Sequence, residues 1–526
     1  MGEKKAKGII VAAIIWIAII GILSVAAKYL ILPYFDKELA EETGSDSHFK
    51  NEVRIAADSF SGYCILRSPA MKNQLKNDGI KLTIVDDNAD YGARMKSLDK
   101  KDVEMAVFTI DSFILNGARL DRFPASIVMV IDESKGADAI VAYKSAISSI
   151  QDLDDPEAAI VLTPDSPSEF LARTVIAHFN LPQLPDKWMI RGDGAREVFS
   201  EFNRANHAKK RAYALWEPYV SKALQIKDAH LLIDSSKLKG YIVDVLVAER
   251  FFLKEHPDLV QRIIESYLRA AYSYDQSDDG MRDLIIEDAR ATGSESIDAD
   301  MAEKMAQRIE WKNTLENYAY FGIDSSQGTS GIQNIEEMLD NITDVLVKTG
   351  TLAENPFKNK THTLYYDKIL NILKTANFHP GKKVNVVEGL GLGTGELEKV
   401  HSQSPLRPIS DAEWKALIPV GSLRIDPISF ARGTARINLQ SQRDLHDLSR
   451  RLSNWPEYYL RVIGHARADG NMDENMKLAG ERADAAAKQL IAAGVSTDRI
   501  RAESDPPTEK EGSSQSVSFI LGQLPY

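Results

Sequence analysis

Residues 8–27, GIIVAAIIWIAIIGILSVAA, form an apolar run of twenty residues in which Ser24 is the only polar side chain apart from the indole of Trp16. A helix of that length reaches about 30 Å, the thickness of a bilayer's hydrocarbon core. Lys4, Lys5 and Lys7 precede it, and basic residues stay on the cytoplasmic side of a span. The expectation is an uncleaved, single-pass anchor in a bacterial inner membrane, with residues 1–28 as cytoplasmic tip and span and the bulk of the chain in the periplasm. Tyr29 and Tyr34 suit the far interface. A secretory signal with Ser24, Val25 and Ala26 at its cleavage site is the competing reading, but such a signal has an apolar region of only about 7–15 residues. Both readings export the remainder.

The net charge is −12 and no long basic run follows the first seven residues, which argues against nucleic acid as a partner. The single cysteine, Cys64, excludes an internal disulfide and fits a bacterial periplasm better than a disulfide-rich exterior. With 526 residues the chain exceeds one hydrophobic core, and about two to four domains are expected.

Residues 29–51 read as a tether. From residue 52, strands are expected at 53–56, 81–85, 105–108, 127–131, 139–143, 158–162, 188–190 and 212–215. Helices are expected at 93–100, 168–179 and 195–205. This alternation predicts an α/β fold with mainly parallel sheets over 52–378. Long amphipathic helices are expected at 245–254, 258–275, 281–291, 299–310, 332–349 and 366–376. Residues 379–407 are rich in Gly, Ser and charge and read as a linker. Gly389, Gly391, Gly393 and Gly395 match neither phosphate-loop spacing. The last domain, 408–526, reads as a small α+β layer. Its strands are expected at 425–430, 435–438, 458–463, 499–503 and 516–521, and its helices at 441–452 and 475–493.

Several polar clusters fall at carboxyl ends of strands, where open α/β sheets bind ligands. Asp58 to Tyr63, DSFSGY, offers Ser59, Phe60, Ser61 and Tyr63. Thr109 and Ser112 follow a second strand. Thr163 to Phe170, TPDSPSEF, sets Ser166 as N-cap, Pro167 at the first helical position and Glu169 as the third member of a capping box. The free N–H groups of that helix would receive an anion, a zwitterion or a polar neutral solute. Trp216 and Glu217 end another strand and could flank a ligand, and Asp244 is placed as a cap opening the helical half. There is no HExxH, no Cys/His cluster and no GxSxG, so neither metal nor cofactor is expected and the chain is expected not to be an enzyme.

Five stretches carry a family likeness: RIAADSFSGY at 54–63, RMKSLDKKDVEMAVFT at 94–109, GADAIVAYKSAISSIQDL at 136–153, ALWEPY at 214–219, and DVLVAERFFLKEHPDLVQRIIESYLRAAYSY at 244–274. This region resembles the periplasmic solute-binding proteins of ABC importers, in the branch that binds nitrate, sulfonates or thiamine precursors. The resemblance implies a type II two-lobed fold with two crossing strands. Lobe one would be 52–138 plus 245–376, and lobe two 139–244. It places a small-molecule solute in the cleft, reached by Ser59, Phe60, Ser61, Tyr63, Thr109, Ser166, Ser168 and Trp216.

A second likeness rests on DPISFARGTARI at 426–437, LRVIGHARADG at 460–470 and NMKLAGERADAAAKQLIAAGVSTDRI at 475–500. These resemble the OmpA-like peptidoglycan-binding domain shared with MotB-type stator proteins. Gly464, His465, Asn475, Leu478, Arg482 and Ala483 match the family pattern. Arg467 stands where the family has Asp, Ala479 where it has Ser, and Ser514, Gln515 and Ser516 where it has Asn-Arg-Arg. In the family that Asp and the later Arg grip the amine and carboxylate of diaminopimelate. Arg482 can still take a carboxylate, whereas Arg467 repels an amine, with Asp469 the acid nearby. The resemblance implies His465, Arg467, Asn475 and Arg482 as the surface for peptidoglycan or an envelope protein. Two functions remain open: a membrane-anchored solute receptor or sensor coupled to that domain, and a structural membrane-to-wall linker with a degenerate cleft.

Overall fold

The computed structural model describes residues 49–526 apart from 206–208, 294–296, 324–331, 359, 382–397, 399, 402–405, 468–469, 507–516 and 525–526. The anchor expected over 8–27, the four linker glycines, Asp469 and residues 514–516 lie outside the described residues. Among the described residues no helix is long and apolar enough to cross a membrane. The chain forms two compact units, residues up to Glu52 with Leu75–Leu82, and Val53–Gln74 with Thr83–Tyr526. The second holds the cavity and the C-terminal domain.

In chain order the strands are β1 (Asn51–Ala56), β2 (Ile80–Val85), β3 (Met105–Thr109), β4 (Ala125–Ser134), β5 (Asp138–Tyr143), β6 (Ala159–Leu162), β7 (Met189–Arg191), β8 (Arg211–Trp216), β9 (Ala229–Asp234), β10 (Val243–Glu249) and β11 (Ile309–Trp311). Strands β11, β4, β10, β3 and β1 lie side by side in that order, and β7, β6, β8, β5 and β9 form a second sheet. β1 runs parallel to β3, and β6 is parallel to β7 and β8. β10 inserts antiparallel between β3 and β4, and β5 pairs antiparallel with β8 and β9.

The helix expected at 245–254 is therefore a correction. Its first half is β10, VDVLVAE, buried at every residue. A strand covered on both faces shows no alternation, so its apolar run passes for a buried helix. Only Arg250–Glu255 is helical, its N–H groups at Phe251 and Phe252 capped by Glu249. Likewise the helix expected at 299–310 ends at Arg308 and passes into β11.

The chain crosses between the two sheets twice, from β4 to β5 and from β9 to β10. The crossings are tied together: Ser134 Oγ lies 2.7 Å from Ser235 Oγ, Gly136 N–H donates to Ser235 Oγ at 2.8 Å, and Ser134 N–H donates to the Ile242 carbonyl at 3.0 Å.

The C-terminal domain carries a four-stranded sheet of β12 (Ile418–Ser422), β13 (Tyr459–His465), β14 (Ile500–Asp505) and β15 (Val517–Gln523), in the order β12, β15, β13, β14. The helix Met472–Ala492 makes the crossover between the parallel strands β13 and β14. The strands expected at 425–430 and 435–438 reduce to a single bridge between Phe430 and Ile437. β12, which starts on an Ile-Pro pair, supplies the edge instead.

This domain is docked on the second sheet's helix Pro167–His178. The Asn180 N–H donates to the Ser422 carbonyl at 2.8 Å, Arg424 N–H to the His178 carbonyl at 2.7 Å, and Lys239 N–H to the Asn454 carbonyl at 3.0 Å. Trp455, 1% exposed, packs edge-on against His178 and Phe179, with ring centres 5.3 and 5.5 Å away. A Cβ at Gly421 would stand 2.5 Å from the Phe179 ring, so this approach requires glycine.

Candidate functional site

A cavity of about 440 Å³ opens between the two sheets, within the usual range for small-molecule sites. Three loops at carboxyl ends of strands build it. The first follows β1. Asp58 accepts from Phe60 N–H at 2.9 Å and from Arg94 Nη2 at 2.9 Å. The turn Ser61–Tyr63 then sets Phe60 and Tyr63 edge to face, centres 5.3 Å apart. A Cβ at Gly62 would lie 2.4 Å from the Phe60 ring and 2.7 Å from Asp132 Oδ2, so only glycine allows the turn to sit this close.

The second loop follows β6. Ser166 caps the helix Pro167–His178 by accepting from Glu169 N–H at 3.3 Å, and its hydroxyl donates to the Thr163 carbonyl at 2.7 Å. Glu169 does not close the expected capping box. It reaches one residue further, accepting from Asp165 N–H at 2.6 Å, and pairs with Arg173 at 2.5 Å. The third loop follows β8, where Trp216 lies opposite Asp138 in the sheet register. Glu217, with its side chain fully buried, accepts from the Ser221 hydroxyl at 2.8 Å and pairs with Arg308, which directly precedes β11 of the first sheet.

Of the residues expected to reach a solute, Ser59, Phe60, Ser61, Tyr63, Ser166 and Trp216 line the cavity. Two do not. Thr109 is buried with its hydroxyl turned to that of Ser112, 2.8 Å away. Ser168 is fully buried and donates to Asp138 Oδ1 at 3.2 Å, so it acts on a lining residue.

The lining adds Tyr91, Asp138, Tyr219 and Asp244, none of them a binding candidate from sequence. Asp244 lies within β10 and opens no helix; it accepts from the Tyr63 hydroxyl at 2.5 Å. It stands opposite Asp132 in the β4–β10 register. No donor among the described residues reaches either Asp132 oxygen; its neighbour across the register is the Asp244 carboxyl, and like charges this close disfavour ionisation of both. Burial raises both above the usual carboxylate range; Asp244 adds to the rise at Asp132, whereas hydrogen bonds from Tyr63 and Asp132 work against it at Asp244. Burial likewise pushes Asp138 up to about 6, against hydrogen bonds from Ser134 and Ser168.

Arg308 to Glu217 and the exposed Arg119 to Asp165 pair bridge the two sheets' sides. The second is worth little in water. The first is not, because Arg308→Ala leaves a buried carboxylate unpaired, a loss on the order of 3–5 kcal/mol. Expected in Arg308→Ala is a lower melting temperature, substantially restored when Glu217→Gln is added.

On the C-terminal domain, His465 Nε2 lies 2.8 Å from the Ser518 hydroxyl, and Asn475 donates to the Arg467 carbonyl at 3.0 Å. Arg482 stacks over Phe430 at 5.1 Å and donates to the Thr434 carbonyl at 3.1 Å. Burial, and then the charge of Arg467, lowers its pKa. The two arginines are thus near enough to repel, a surface suited to carboxylates. Among the described residues Glu310, Glu316 and His401 could approach one cation, but Lys312 already occupies Glu310.

Comparison with known proteins gives two likenesses. Residues 429–516 match the model of the OmpA family. A stretch of 76 residues is 32% identical to the probable lipoprotein YiaD of Escherichia coli K12; the match covers 14% of this chain and only 35% of that protein. The fold of the remainder is similar to the alkanesulfonate-binding protein SsuA from Xanthomonas axonopodis pv. citri, at 15% identity and a TM-score of 0.44, covering 58% of this chain and 95% of that one. It is also similar to the desulfurization enzyme DSZB, at 11% identity and a TM-score of 0.42, covering 62% of this chain and all of that one.

Proposed function

We propose that this chain is a solute receptor of the bacterial envelope. A two-lobed module of the type II binding-protein kind takes a small molecule in the cavity, and the C-terminal OmpA-family domain ties that module to peptidoglycan or to an envelope protein. Residues 8–27 would fix the assembly at the inner membrane. No catalytic step is assigned to the cavity.

The observation that carries this reading is the helix Pro167–His178. Ser166 and Pro167 at its start line the cavity, and Ser168 holds Asp138. His178 at its end is packed on Trp455 of the C-terminal domain. The second crossing is placed in the same way: Ile242 and Asp244 line the cavity, while the Tyr241 hydroxyl meets His178 Nε2 at 3.1 Å and receives Asn454 Nδ2 at 3.4 Å. A hinge closure about the crossings would shift both contacts with the C-terminal domain. This supports a sensor over a freely diffusing carrier.

The test is thermal unfolding of the full chain with a panel of amines, amino acids and oxyanions. A solute at 100 times its dissociation constant adds about 2.7 kcal/mol, several degrees. The expected result is a shift from one chemical class that disappears in Trp216→Ala. If no class shifts the melting temperature, and cells carrying Trp216→Ala or Ser166→Ala keep every trait that deletion of 408–526 removes, the receptor reading fails in favour of a membrane-to-wall spacer.

A further inference from the structure

The cavity's charges are unequal. Asp58, Asp138, Glu217 and Asp244 line it, against Arg196 alone among the described residues. Two of the four carboxylates already have cations: Arg94 on Asp58 and Arg308 on Glu217. Among the described residues the other two have hydroxyl donors and no cation. Asp138 is 4% exposed and receives Ser134 and Ser168; Asp244 is 2% exposed and receives Tyr63. Behind Asp244 stands Asp132, fully buried, with no donor on either oxygen among the described residues. Arg196 does not balance them. It lies on the helix Gly194–Asn203 after β7, and its Nε donates to the Tyr219 hydroxyl at 3.3 Å.

A second set of observations is independent of charge. Phe60, Tyr63, Tyr91, Trp216 and Tyr219 all line the same space, and aromatic faces attract cations through their quadrupoles. The Thr163 hydroxyl, also in the lining, is shielded from solvent and has no hydrogen-bond partner among the described residues, so a polar ligand atom can complete it. The capped helix start, which alone would favour an anion, faces this excess of carboxylate, and its Ser168 hydroxyl is spent on Asp138.

We propose that the group this cavity recognises is an ammonium, primary or quaternary, held between Asp138 and Asp244 and enclosed by the aromatic rings; this deepens, and rests on, the reading of the cavity as a solute site. The ammonium supplies the positive charge that the hydroxyl donors do not. An oxyanion in the same place would meet two carboxylates with no cation between.

The experiment is titration calorimetry of the full chain with tetramethylammonium, choline, glycine betaine and a short alkylamine, against sulfate, nitrate and methanesulfonate. At least one ammonium probe is expected to bind at least tenfold more tightly than every oxyanion. Asp138→Asn should weaken it at least tenfold, with a thermal melt run alongside to confirm folding. Trp216→Leu provides the same loss by removing a ring and keeping the charge. An oxyanion that binds more tightly, and whose binding is lost in Trp216→Leu, overturns the ammonium assignment and leaves the receptor standing. Binding of the ammonium probe by folded Asp138→Asn and folded Trp216→Leu as tight as by the unmodified chain also overturns it. Binding by neither class overturns the receptor reading, and the assignment falls with it.

Discussion

Arg94→Met should lower the stability of the chain by about 3–5 kcal/mol, the cost of removing one partner from a buried ion pair. The Arg94 side chain is wholly shielded from solvent. Nε and Nη2 fork onto the two Asp87 oxygens at 2.6 and 2.5 Å, Nη2 also reaches Asp58 at 2.9 Å, and Nη1 donates to the Val107 carbonyl at 2.5 Å. The guanidinium is also stacked over Tyr91 at 4.8 Å. Burial favours loss of its proton, but Asp87 and Asp58 more than reverse this and hold its pKa well above normal. Methionine fills much of the volume and none of the charge, so two carboxylates are stranded. The melting temperature should fall on the order of 10 °C. The comparison that decides the cause is the same substitution in an Asp58→Asn, Asp87→Asn background. There the loss should shrink to the packing and carbonyl contributions. An undiminished loss would mean that the charges are not what the arginine holds. Asp58 lines the cavity, so this pair also joins the stability of the first sheet to the geometry of the site.

The parts of this site that sequence could reveal share one property: their signal is local. The Ser166 cap, Pro167 at the helix start and the Trp216, Glu217 corner are each legible within a few residues. Strands β1, β3, β5, β6 and β8 are legible because short apolar runs end in turn residues and helical patterns follow. Asp138 and Asp244 were missed because each reads as an interruption within an apolar run, GADAIVAY and IVDVLVAE. A sharper rule was available. A carboxylate flanked on both sides by core residues must have a partner or be neutral, so it marks either a network or a site. What no local rule supplies is the meeting of β4 with β10, which puts Asp132 opposite Asp244, or the seating of Phe179 on Gly421. Those depend on contacts between distant segments. The same limit explains Thr109, whose carboxyl-end position resembles that of Ser166 but whose hydroxyl turns back to Ser112.

Docking of the C-terminal domain should weaken in acid, and Trp455→Ala should release it at neutral pH. Trp455 is nearly fully buried among His178, Phe179 and Tyr458. Removing a buried indole costs about 3–5 kcal/mol, and here much of that burial is between the domain and the helix Pro167–His178. The acid effect follows from His178. Its Nδ1 lies 2.8 Å from the Thr174 carbonyl and must carry the hydrogen, which leaves Nε2 to accept from Tyr241. A second proton would break that acceptor contact in a dry pocket that also feels the charges of Arg451 and Lys348. Burial accordingly lowers its pKa to about 3. Once undocked, the imidazole returns towards an ordinary value of about 6.5. The docked form therefore holds its full stability above about pH 6.5 and loses it as pH falls towards 3, by roughly 2 kcal/mol at pH 5. Small-angle scattering of the full chain should give a larger radius of gyration for Trp455→Ala at pH 7.5, and for the unmodified chain at pH 5. His178→Phe keeps a ring and removes the titration, so its radius should change little between the two pH values. If the unmodified chain and Trp455→Ala both keep the neutral radius, the domain is held by its other contacts, among them the Asn180, Arg424 and Lys239 backbone bonds and the Ser422 bond to Gln151. The aromatic cluster would then be no route by which lobe closure reaches the C-terminal domain.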